Sequence, residues 1–124
     1  MTTEYASDRT FMVWQYTVFH HQRVLLRSPR ETDTGTRIDL HVSGVSAMFL
    51  RPSYKGLTIR EGSEADRERV VSLLGAEVFE RGQCLHVIGE DRMTGFVVGG
   101  PLDRREMHAG DDEPSGFLHM PPTP

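Results

Sequence analysis

Thr36-Arg37-Ile38-Asp39-Leu40-His41-Val42 alternates apolar and polar side chains from its second residue onward. Successive side chains of a strand point to opposite faces. Ile38, Leu40 and Val42 therefore share one face, and Arg37, Asp39 and His41 share the other. The pattern predicts an antiparallel strand, its apolar side on a core and its charged side in water.

Upstream, Phe11 to Phe19 is rich in aromatic and β-branched residues, which suits a pleated surface. Met12, Trp14, Tyr16 and Val18 form an apolar face there. His20-His21-Gln22 reads as a turn into a second strand, Arg23 to Ser28, closed by Pro29. Arg30 to Gly35 reads as a polar loop. Downstream, Val45 to Leu50 and Gly56 to Arg60 read as strands four and five.

Ser63 opens the one helix, with Asp66 three residues on in a capping-box position. Gly75 is placed to end it, so it spans about 11 residues. Ala65, Val70, Val71, Leu73 and Leu74 are expected to pack on the sheet. Gln83 to Gly89 and Thr94 to Val98 then read as a terminal hairpin. The expected class is α+β: a mostly antiparallel sheet or small bent half-barrel of about seven strands, one helix packed near residues 63–74.

The chain is expected to divide into a flexible N-terminus over 1–10, one β-rich domain over 11–100, and an acidic Gly/Pro-rich tail over 101–124. The tail is expected to be mostly disordered, with Phe117 and Leu118 as a short anchor. It holds five acids and two arginines, whereas residues 1–100 hold 13 acids and 12 bases. That balance lacks the basic footprint of a nucleic-acid binder. No apolar run reaches the ~18 residues that span a membrane, and the polar start does not resemble a signal peptide. A cytoplasmic protein is expected.

Cys84 is the single cysteine, so no internal disulfide forms. In Cys84-Leu85-His86-Val87-Ile88 it reads first as a small buried hydrophobe. His86, two residues on, shares its face and could activate it. The six histidines show no zinc-ligand spacing, and Asp111-Asp112-Glu113 reads as solvated charge. Arg37, Asp39 and His41 have the composition of an acid–base group, but equally of a solvated strand face. No nucleophile elbow or phosphate-binding loop is present. No catalytic residue, metal ligand or cofactor is therefore assigned.

Trp14-x-Tyr16-x-Val18, Val24-Leu25-Leu26-Arg27-Ser28-Pro29 and Thr36-Arg37-Ile38-Asp39-Leu40 together resemble a group of short uncharacterised actinobacterial proteins. The resemblance covers roughly residues 11–60 and implies an actinobacterial, cytoplasmic origin. It brings no activity with it, so no functional residue is transferred.

The expected function is a non-catalytic interaction module that binds a protein partner or a second copy of itself. Arg51, Tyr54 and Lys55 are its candidate contact residues, because Tyr and Arg favour recognition surfaces. The alternative is a small β-barrel that binds or transforms a small molecule, with Trp14, Cys84 and His86 lining its pocket.

Overall fold

A computed structural model describes residues 2–17, 22–29 and 35–108. The expected turn at His20-His21, most of the Arg30–Gly35 loop and the tail beyond residue 108 lie outside these residues. The elements run β1 (Thr3–Thr17), β2 (Arg23–Ser28), β3 (Arg37–Val42), β4 (Ala47–Phe49), β5 (Ser53–Glu61) and α1 (Glu64–Leu74). A short 3-10 turn (Ala76–Phe79), β6 (Cys84–Ile88), β7 (Gly95–Gly99) and β8 (Leu102–Met107) follow. All eight strands join one antiparallel sheet in the order β4-β7-β6-β5-β1-β2-β3-β8. Among the described residues no helix is long and apolar enough to cross a membrane.

Among the described residues the α+β class with one packed helix holds, with eight strands rather than about seven. The added strand is β8, which pairs with β3 where the tail was expected to begin. Its sequence, Leu-Asp-Arg-Arg-Glu-Met, is exposed between half-buried ends; Leu102 packs against the core, and the rest is held by backbone pairing at the sheet's edge. The chain's start differs as well. Thr3 to Thr10, expected to be flexible, belongs to β1 and pairs with β5. β1 is long because it serves two partners, β5 along its first part and β2 along its second. Register shifts between Ser7 and Thr10 and between Val13 and Gln15 mark where it bends.

The bent sheet wraps a core of Tyr5, Phe11, Leu26, Ile38, Leu40, Tyr54, Leu57, Ile59 and Ile88. The Tyr5 and Phe11 rings meet edge-on at 5.9 Å. Val24 and Val42 meet Val45 and Val97 across one end, so the curl brings β7 over β3. The interior cavity here measures about 10 Å³, room for roughly one water.

A second cluster lies on the opposite face of β6 and β7. Val70 of α1 and Val78 of the 3-10 turn pack on Leu85, Val87, Phe96 and Val98. The capping box forms as expected: Ser63 Oγ accepts from the Asp66 amide, and the Asp66 carboxylate accepts from the Ser63 amide. Asp66 also accepts from Arg60 Nη1 at 2.7 Å, which ties α1 to β5. Gly75 ends the helix at φ +94°, a conformation costly for other residues. The expected apolar helix face is narrower than read. Val70 is its buried apolar residue, while Ala65, Val71, Leu73 and Leu74 are exposed.

Candidate functional site

The exposed apolar residues of α1 meet an open edge of the sheet. β4 pairs with β7 on one side and is the last strand of the order. Met48, Phe49, Leu73, Leu74, Met93 and Phe96 line a groove of about 490 Å³ there, with Arg69 at its side. Phe49 is 63% exposed and Leu73 72%. The Phe49 ring leans on Phe96 at 6.1 Å, which fixes the groove's wall. Scattered single apolar residues on a surface are ordinary, whereas these form a contiguous group beside the outer edge of β4, which has no strand partner among the described residues.

These residues carried a readable signal. Each helical residue turns about 100°, so Val71 and Leu73 fall on either side of Val70. One sheet contact cannot bury both. Phe49 gave no such warning, because its exposure follows from the edge position of β4.

The proposed contact loop is placed differently. Arg51 and Lys55 are exposed, but Tyr54 is only 6% exposed and belongs to the core. Its hydroxyl donates to Thr94 O at 3.1 Å and accepts from the Arg51 amide at 3.0 Å. β5 begins at Ser53 rather than Gly56, so Tyr54 is a strand residue. Gly56, at φ +74°, lies opposite the irregular stretch of β1, and Tyr54 and Leu57 both turn inward across it.

Trp14, Cys84 and His86 do not share a pocket. Trp14 lies over the Arg27 guanidinium at 4.9 Å, and Arg27 alternates with the inward-facing Leu26. The sheet therefore separates Trp14 from His86, which lines the interior cavity. Cys84 is exposed rather than buried, because β6 begins with it at the mouth of a polar cleft of about 840 Å³. His86 cannot act as its base. The His86 ring is bonded at Nδ1 to Glu4 Oε2 (2.6 Å) and at Nε2 to Gly100 O (2.7 Å). Both partners offer acceptor oxygens, so the ring satisfies both bonds only when both of its nitrogens carry a proton. Burial lowers its pKa, but the Glu4 hydrogen bond, the Gly100 carbonyl and the Glu4 charge outweigh burial and raise it.

The charged face of β3 is buried rather than wet. Arg37 and Asp39 are 0% exposed, and His41 is buried with them. Asp39 Oδ1 accepts from Arg27 Nε at 2.8 Å, and Oδ2 faces Arg37 Nη2 at 3.4 Å. The pKa of His41 is lowered by burial and by Arg23, against the opposing pull of Asp103. Asp39 thus serves two guanidinium groups, and its carboxylate is committed to structure. Among the described residues no three His, Cys, Asp or Glu side chains cluster as metal ligands would. No family model matches the chain, and no match is found among the curated proteins or the solved structures, so the functional reading rests on this geometry alone.

Proposed function

We propose that the protein is a non-catalytic interaction module that self-associates through the β4 edge and the groove beside it. The observation that carries this reading is the contiguous exposure of Met48, Phe49, Leu73 and Leu74 at an open strand. A second copy is the occupant the groove suits. An edge strand can pair with its own copy about a two-fold axis, which sets the same apolar groove against itself. The lining carries a single charged side chain, Arg69, with Glu68 next to it on the helix. Two copies would therefore bury apolar surface while offering both signs of charge at the rim.

Sedimentation equilibrium tests the proposal. The wild-type chain is expected to reach a dimer over the micromolar range. Leu73→Glu combined with Phe49→Ser is expected to be monomeric with an unchanged far-UV circular dichroism spectrum. A wild-type monomer at every concentration overturns the reading. So does a dimer that survives both substitutions.

A further inference from the structure

Two of the residues that line the apolar groove are methionines, Met48 on β4 and Met93 in the link between β6 and β7. Methionine suits a recognition surface, because its unbranched thioether adapts to the shape opposite it. It is also a side chain that peroxides convert from apolar to polar. Where a thioether lies inside an apolar contact, that conversion sets a strong acceptor where nothing donates to it.

The described methionines differ in how open their sulfurs are. Met48 is exposed and Met93 half-buried, both at the groove. Met12 is half-buried in the middle of the sheet, paired with Arg27 on one side and Ser53 on the other. Met107 is half-buried, and its Sδ accepts from Arg37 Nη2 at 3.2 Å, which engages a sulfur lone pair. Among the described residues Met48 is thus the one exposed methionine, and it stands on the strand that ends the sheet. Around it lie Phe49, Leu73, Leu74 and Phe96, and Arg69 is the one side-chain donor of the groove lining. Cys84, also an exposed sulfur, lines polar clefts and not this groove.

We propose that Met48 and Met93 form an oxidation site that controls self-association. The inference rests on the dimer proposed above. A peroxide transfers one oxygen atom to the thioether. The O–O bond breaks, an S–O bond forms, the sulfur gives up two electrons, and the peroxide leaves as water or an alcohol. The reaction takes place on the free chain, where Met48 is open, because pairing along β4 covers it. In a dimer the sulfoxide would face the apolar wall of the second copy, and the two-fold axis repeats that penalty at the symmetric position. Oxidation therefore holds the chain as a monomer, and pairing in turn shields the sulfur.

Sedimentation equilibrium of the full chain carrying Cys84→Ser, before and after hydrogen peroxide, tests this, with peptide mass mapping to locate each added oxygen. The untreated chain is expected to dimerise. A chain that is monomeric before any peroxide is added overturns self-association itself, and the oxidation site with it. With Met48 and Met93 oxidised and the far-UV circular dichroism unchanged, the dissociation constant is expected to rise at least about tenfold. An unchanged dissociation constant at full oxidation of both residues overturns the oxidation site alone, as does loss of the fold on oxidation. Met48→Leu with Met93→Leu keeps size and apolar character, and this variant is expected to dimerise equally before and after the same treatment. Dissociation of the treated double variant traces the effect to other residues and overturns the proposal. In excess peroxide the rate of Met48 oxidation is expected to fall several-fold as protein concentration rises through the dimerisation range. A rate independent of concentration overturns the proposal that a second copy covers Met48.

Discussion

His86 joins the first strand to the turn between β7 and β8 through two bonds, to Glu4 and to Gly100. Both bonds need the protonated ring, and its pKa is raised above the ordinary value near 6.5. The sign of the linkage follows. Below the unfolded value the ring is charged in both states, and the stabilisation is complete. As pH rises through the raised folded value the ring loses its proton, and the stabilisation is lost. Urea midpoints are therefore expected to fall as pH climbs above about 6.5. Glu4→Gln should flatten that fall, and an NMR titration of the His86 ring should show the raised value directly. His41 acts in the opposite sense. Its lowered pKa favours the neutral ring, so its contribution is lost as pH falls below the same reference. A Glu4→Gln profile that keeps the full alkaline fall would sink this account of His86.

The helix shows how differently two sides of one element are held. Its start is fixed locally, by Ser63 and Asp66, and Asp66 in turn grips Arg60. The Arg60 hydrogen bond outweighs burial and, with Ser63, holds the Asp66 carboxyl at about 2. Ser63→Ala removes one cap acceptor and is expected to cost about 1 kcal/mol in urea unfolding. Leu73→Ala, on the exposed side of the same helix, should change stability by less than about 0.5 kcal/mol at a concentration where the chain is monomeric. A large loss from Leu73→Ala there would mean that the side chain packs within its own chain. The helix bounds were legible because capping chemistry is local. That one sheet contact could bury only part of its apolar residues was legible too, but that the buried stripe is the one holding Val70 was set by where the sheet lies.

On the scale of the whole molecule, the bent but open sheet packs its inner face tightly enough to leave about 10 Å³ there. Such an interior holds side chains in place of a ligand. Leu40 is fully buried within it, and Leu40→Ala is expected to cost about 2–5 kcal/mol, read from the shift in a denaturant midpoint. A loss well below that range would show an interior loose enough to collapse around the deletion. Most of the large exposed apolar side chains instead gather at its margin, along β4 and the outer side of α1.

By itself the sequence determined that Ile38, Leu40 and Val42 share a face, that Ser63 and Gly75 bracket a helix, and that strands dominate. Each of these follows from covalent geometry, periodicity or a bond between near neighbours. Only the tertiary structure decided what lies against the other faces. Arg37-x-Asp39-x-His41 has the pattern of a wet strand face and is buried. Tyr54 looks like a loop aromatic and is core, because Gly56 and the bulge in β1 reset the alternation. Cys84 looks like core and is exposed at the start of β6. Alternation fixes which way a side chain points, but what covers it depends on residues far away in the chain, and no local pattern encodes that.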